Sequence, residues 1–238
     1  MIICPRTSRS RLAPRLDARQ EAAILSVMQP SQEPSQDRFL AAILKGDLAE
    51  ALSVAQEARS RGLPFFYEEL IARALVEVGR LWQAGRISVA DEHVATAVAQ
   101  SVLASFYPTF PWAASGPKGI VGCVEGERHE LGARMAADLL VHDGWNVMYV
   151  GADVPLASLI ELAVRTRPVF VGLSFALAER LPRVRDAIAR LRREAPGARL
   201  LLGGRGVAVD AASAQDLGAD AVARSATGAV EAIRTWKR

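Results

Sequence analysis

Between residues 37 and 107 the apolar positions recur every three or four residues, and beyond residue 118 they gather into short continuous runs. The first pattern belongs to helices with one buried stripe, the second to strands buried on both faces. Phe39 and Ile43 mark a first helix that stops at Gly46. Asp47 is placed to cap a second, which carries Leu52, Ala55 and Ala58 as far as Gly62. Pro64 opens a third, in which Leu70, Ile71, Ala74, Leu75, Val78 and Leu81 keep the helical spacing until Gly85. Ser88 caps a fourth, with Val94, Ala97, Val98, Val102 and Leu103 on its apolar side. Four helices with short connections predict an antiparallel bundle.

The strand-length runs fall at 119–124, 146–150, 168–174, 199–202 and 219–223. Helical stretches separate or follow them at 130–142, 156–166, 178–194, 210–218 and 227–236. This alternation predicts five βα units and a parallel sheet covered on both faces. The expected class is α/β. A helical bundle over 36–110 is joined by a linker over 111–118 to a doubly wound five-stranded sheet over 119–238. The expected strand order is flavodoxin-like (Rossmann-like), 2-1-3-4-5.

Residues 1–35 lack this periodicity and predict a flexible arm. Its first 20 residues carry Arg6, Arg9, Arg11, Arg15 and Arg19 against one acid, Asp17. Met28 offers an alternative translation start that would remove the basic arm altogether. The net charge of +3 over 238 residues is too mild to imply nucleic acid by itself. No apolar run approaches the roughly 18 residues of a membrane span. The first residues lead into arginines rather than a hydrophobic leader. The expectation is a soluble cytoplasmic protein without membrane contact; nothing in the pattern sets its oligomeric state. The two cysteines, Cys4 and Cys123, are far apart and predict neither a disulfide nor a zinc site.

In doubly wound sheets ligands bind outside the carboxyl ends of the strands, at the switch point beside strand one. Three pieces of the sequence fall there. Strand one is followed by Glu127-Arg128-His129-Glu130-Leu131-Gly132, strand three ends at Ser174, and strand four ends in Gly203-Gly204. Each alone has an ordinary explanation: a surface histidine, a helix cap, a turn. Together they are far more specific, because 41 residues separate Gly132 from Ser174 and 26 separate Ala176 from Gly203. This spacing resembles the signature of the methionine-synthase-like cobalamin (vitamin B12)-binding domains. That signature reads Asp-x-His-x-x-Gly, then Ser-x-Leu, then Gly-Gly. Glu127 stands in place of the aspartate and Ala176 in place of the leucine.

The resemblance implies that His129 is the protein ligand to cobalt, offered as a neutral imidazole. Glu127 would hold the other ring nitrogen and fix the tautomer. Ser174 would extend that hydrogen-bond chain. Gly203 and Gly204 would let the displaced nucleotide tail lie against the sheet, and Gly132 would allow close approach at the helix start. Arg128 and Ala176 lie within the matched segments. The form of the cofactor (adenosyl-, methyl- or hydroxocobalamin) stays open.

In the bundle, Trp82 is followed after nine residues by Glu92-His93. A buried tryptophan beside a capped helix start is the plain reading. The spacing is also similar to that of the CarH-like cobalamin photoreceptors, whose bundle covers the upper corrin face. On that resemblance Trp82 caps the upper axial group, and Glu92 and His93 contact it or the corrin edge. Those light sensors tend to carry a histidine straight after the tryptophan, where this chain has Gln83. His142 reads as a helix C-terminal residue, and Trp145 and Tyr149 as packing. Arg183, Arg185, Arg190, Arg192 and Arg193 read as a solvated helix face, with a partner surface as the alternative.

The chain shows no catalytic barrel and no methyltransferase domain, and 1–35 is too short and polar for a helix-turn-helix head. A cobalamin module with a helical cap is similar to the AerR/PpaA type of antirepressor. That implies a non-enzymatic, light-responsive co-regulator. It would act through a transcription factor (a repressor), with weak DNA contact through the basic arm. The alternative is a corrinoid methyl carrier, a component of a methyltransferase system.

Overall fold

The computed structural model describes residues 33–111, 115–209 and 216–237. The basic arm, Cys4 and Met28 lie outside them, as do Trp112, Ala113 and Ala114 of the expected linker. The bundle consists of α1 (Pro34–Leu44), α2 (Leu48–Ser60), a third helix and α4 (Val89–Ser105). The third helix begins as a π-helical segment, Phe65–Ala72, and continues as α3, Arg73–Gln83. The helix starts follow the sequence signals. The Asp47 carboxylate accepts from the Glu50 N–H at 3.1 Å. Ser88 and Asp91 form a reciprocal capping box.

One helix face differs from expectation. Val94 is 45% exposed and Ala97 is also exposed, while α4 buries Ala95, Val98, Ala99, Val102 and Leu103. Its apolar residues are spread around the helix and not confined to one stripe, so its sequence sets the buried face poorly. Packing then favours the small Ala95 and Ala99, which bring helices close.

The sheet is parallel in the order β2-β1-β3-β4-β5, as the alternation predicts. Its strands are β1 (Lys118–Cys123), β2 (Asn146–Gly151), β3 (Phe170–Ser174), β4 (Arg199–Gly203) and the short β5 (Ala221–Val222). The helices between and after them are α5 (Leu131–His142), α6 (Leu156–Thr166), α7 (Leu181–Glu194), α8 (Arg205–Val209) and α9 (Ala226–Ile233). The expected helix over 210–218 falls largely outside the described residues. His142 ends α5 at the surface, as read from the sequence. Four of the five arginines on α7 carry acidic partners: Arg183 with Glu125, Arg190 and Arg193 with Glu194, and Arg192 with Asp220. Most of the charge on that face is therefore matched by ion pairs at the surface.

One apolar cluster joins β1, β3 and β4 to α6 and α7, and a second joins the other sheet face to α5 and α9. Trp145 is fully buried in the latter, its ring edge-on to Phe170 at 4.9 Å. The bundle core extends to Met135, Leu139 and Val141 of α5, so the bundle packs on the outer side of that helix. Polar contacts reinforce the junction. The Tyr67 hydroxyl donates to the buried Asp138 at 3.1 Å, and Arg134 pairs with the other Asp138 oxygen at 2.9 Å. Glu68 accepts from the N–H and hydroxyl of Thr227 at 2.7 and 2.8 Å. Both bundle partners come from the π-helical segment, a form often found at functional positions. No helix among the described residues is long and apolar enough to cross a membrane.

Candidate functional site

Strand register brings the three sequence pieces to one level. Cys123 lies opposite Ser174, and Ser174 opposite Gly203, at the carboxyl ends of adjacent strands. The loop after β1 is anchored from both sides. Val124 donates to the Ser174 carbonyl at 3.1 Å, and Asp153 donates from its N–H to the Glu127 carbonyl at 2.8 Å. Gly126, at φ +84°, gives the turn that sends Glu127 inward.

Glu127 is fully buried, an unusual place for a carboxylate, and it is fully engaged. Its Oε1 accepts from the His129 N–H at 2.9 Å and from the ring Nδ1 at 2.5 Å. Its Oε2 accepts from the Ala176 N–H at 2.8 Å. Burial pushes this carboxyl up, but the hydrogen bonds from Ala176 and His129 outweigh it and hold it below the ordinary carboxylate range. The His129 ring is 62% exposed. With Nδ1 committed to Glu127, Nε2 is left as the outward lone-pair donor, the tautomer a metal ligand needs.

The hydrogen bond that extends the pair comes from the backbone of Ala176, not from the Ser174 hydroxyl as the sequence suggests. Ser174 is buried at the end of β3. Side-chain reasoning misses a backbone donor, though the donor belongs to the signature's Ser-x-Leu segment. Alanine in place of leucine at 176 keeps that N–H. Gly204 has φ +97°, and a Cβ there would lie 2.2 Å from the Phe175 carbonyl oxygen. Its glycine is thus demanded by internal packing. A Cβ on Gly132 would meet open space, so its glycine is not. Gly203 would make only ordinary contact. Arg128 is exposed beside His129.

Cys123 lies beneath the loop, its thiol directed at the His129 carbonyl at 3.8 Å. Burial, with Glu127 and Glu130 nearby, pushes the thiol up to about 12, so it stays protonated. Tyr149 does more than pack. Its hydroxyl donates to Glu130 at 3.0 Å, and its ring lies near the Arg134 guanidinium.

In the bundle, Trp82 is 47% exposed and is not a core residue. It lies in the last turn of α3, and Glu92 and His93 in the first turns of α4. Glu92 bonds to the neighbouring His93 ring at 2.5 Å and to Thr96 at 2.8 Å, both within α4. Hydrogen bonds thus gather Glu127, His129 and Ala176 into one unit, and Glu92 with His93 into another. None among the described residues links the two units. No cluster of three or more metal-ligating side chains occurs among the described residues.

Two family models, each described as a B12 binding domain, match residues 117–234 and 35–106. The HTH-type transcriptional repressor CarH of Myxococcus xanthus is 30% identical over 169 residues, covering 71% of this chain and 56% of that protein. The chain spans about half the length of the curated repressors it matches. The dimethylamine corrinoid protein 3 of Methanosarcina mazei is 33% identical over 119 residues, covering 49% of this chain and 71% of that protein. The fold is also that of the monomethylamine corrinoid protein of Methanosarcina barkeri, with a TM-score of 0.71 at 20% identity over 84% of this chain and 97% of that one. With matching models over both bundle and sheet, and a signature set side by side at the carboxyl edge, the chain belongs to the B12-binding domain family and binds cobalamin, with a helical bundle preceding the sheet.

Proposed function

We propose that this protein is a cobalamin-dependent transcriptional co-regulator of the antirepressor type. In it His129 ligates cobalt, and light acting at the cofactor controls binding to a partner transcription factor. The observation that carries the cofactor half is the buried Glu127 carboxylate, which holds His129 Nδ1 at 2.5 Å and leaves Nε2 outward. When bound, cobalamin supplies an exchangeable, light-sensitive upper axial bond. The chain's own part is to supply the lower nitrogen, fix its tautomer and cover the upper face. Gly132 and Gly203, whose Cβ positions are open or uncrowded, border the corrin and its displaced nucleotide tail. Glu127→Gln keeps the size but turns one carboxylate oxygen into an NH2 group facing an N–H donor. Cobalamin affinity is expected to fall roughly 10–100-fold, the usual range for a residue behind a ligand. Titration followed by visible absorbance measures it.

Trp82 supports the regulatory half. A tryptophan 47% exposed at a helix end contributes little to the bundle core. It is suited to cover a held upper ligand, and Glu92 and His93 follow across a short turn. Loss or exchange of that ligand changes the contacts of the cap, and a switch requires such differential contacts. The bundle surface is the interface we assign to the partner. Trp82→Ala is expected to change the dark lifetime or photolysis rate of the upper ligand. Fold stability should stay within about 0.5 kcal/mol, as at other exposed sites. A loss of several kcal/mol would return Trp82 to the core.

A methyl-carrier role is the second reading. It is favoured by the 33% identity to a dimethylamine corrinoid protein over 71% of that protein's length. Spectra and partner capture with apo, dark and illuminated protein separate the two. Light-dependent capture of a transcription factor supports regulation. Equal capture in all three forms, with methyl transfer to a thiol acceptor, supports the carrier.

A further inference from the structure

Many of the described arginines are ion-paired with carboxylates; Arg180, at the carboxyl edge of the sheet, has no such ion pair among the described residues. It ends the 3-10 turn Ala178–Arg180 that follows β3. Its Nε is buried and has no hydrogen-bond partner among the described residues. The guanidinium lies against Gly126 in the His129 loop. A Cβ on Gly126 would stand 2.9 Å from one terminal nitrogen, 3.3 Å from Cζ and 3.8 Å from Nε.

The carboxylates of the loops that flank Gly126 are already engaged. Glu125 accepts from the Leu156 N–H and pairs with Arg183. Asp153 accepts from the Gly126 N–H at 2.6 Å. Glu127 holds His129 and Ala176. A buried guanidinium N–H without a partner is costly, because it loses water and gains nothing in exchange. Arg128, Arg205 and Arg224, in the loops after β1, β4 and β5, are exposed and keep their water. Arg180 alone of these four has a buried, unmet donor.

Outside the corrin ring and its cobalt, cobalamin carries one ionised group, the phosphodiester of its nucleotide tail; its side amides are neutral. A guanidinium matches phosphate oxygens through paired donors. We propose that Arg180 holds the phosphodiester of the nucleotide tail of bound cobalamin. This rests on the reading that cobalamin binds at His129 with its tail displaced. Arg180 thereby selects complete corrinoids over tail-less ones.

The test titrates wild type, Arg180→Gln and Arg180→Lys with hydroxocobalamin, cobinamide phosphate and cobinamide, followed by visible absorbance. Cobinamide phosphate keeps the phosphate without the base, and cobinamide lacks both. Arg180→Gln is expected to weaken the first two by about 10- to 100-fold, the effect of losing a charge-assisted hydrogen bond, and to leave cobinamide within about twofold. Arg180→Lys should recover part of the loss. Equal weakening of all three ligands, or of none, overturns the proposal, as does weakening of hydroxocobalamin alone. Wild-type protein that binds no corrinoid overturns the cofactor reading and this proposal together. Wild type that binds all three without a histidine-ligated spectrum overturns the His129 assignment and, with it, the displaced tail on which this proposal rests; a histidine-ligated spectrum with unselective weakening overturns Arg180 alone.

Discussion

Replacing His129 with alanine is expected to abolish the nitrogen-ligated spectrum of bound cobalamin while the fold survives. The affinity loss should exceed the roughly 10–100-fold typical of residues behind a ligand, because the bond to cobalt itself is removed. The fold should survive for a local reason. The buried Glu127 keeps two of its three donors in the variant, since both come from backbone N–H groups at 129 and 176. The ring is 62% exposed, so little packing is lost. Visible spectra and urea denaturation check the two halves separately. A wild-type-like spectrum in the variant would refute the ligand assignment.

The same pair gives a pH signature. The Glu127 carboxyl is held below its ordinary value of 4.5, so its ionised form stabilises the fold above that range. This contribution fades as pH falls through the lowered value. In the alanine variant the ring's hydrogen bond is gone. The carboxyl moves up, and acid unfolding should begin at higher pH.

Much of this architecture is legible in the sequence because burial on both faces leaves a plain record. The runs that become β1, β3 and β4 are continuous and apolar, and helices separate them, so strand order and ligand edge follow from general rules. The registers Cys123 to Ser174 and Ser174 to Gly203 show why the spacings 41 and 26 matter. They are the lengths of crossover that return each signature piece to the same edge. The unread parts share a physical cause: they depend on groups without a side-chain signature. The closing donor to Glu127 is a backbone N–H. The π-helical start of the third helix shifts hydrogen bonds by one residue within an ordinary apolar run. The buried face of α4 is chosen by its neighbours, because Val94 and Ala97 are as apolar as the residues it hides. Arg180 reads as one more charge on a basic stretch until the neighbouring carboxylates are seen to be occupied.

The tie between bundle and sheet was equally invisible, since Tyr67 and Asp138 are 71 residues apart. Asp138→Ala is expected to lose about 3–5 kcal/mol, because it strands a largely buried Arg134 and the Tyr67 hydroxyl. Tyr67→Phe removes only one donor and should cost about 1–3 kcal/mol. Burial raises the Asp138 carboxyl above its ordinary 3.8, and neither Arg134 nor Tyr67 fully offsets this. Its sign is therefore opposite to that of Glu127. The ionised form is a burden above the raised value, and the burden lifts as pH falls through it. Asp138→Asn, which removes the charge and keeps an acceptor for Tyr67, should be milder than alanine and should flatten that pH dependence. Urea denaturation across pH measures all three variants. Hydrogen exchange in α5 and the π-helical segment shows where the loss falls. Met135 and Leu139 of α5 complete the bundle core, and α5 begins two residues after His129. Loosening at Asp138 should therefore raise exchange in both elements together. A loss below about 1 kcal/mol in Asp138→Ala, or exchange rising in the bundle alone, would mean that the bundle is held to the sheet by its apolar contacts and not by this buried pair.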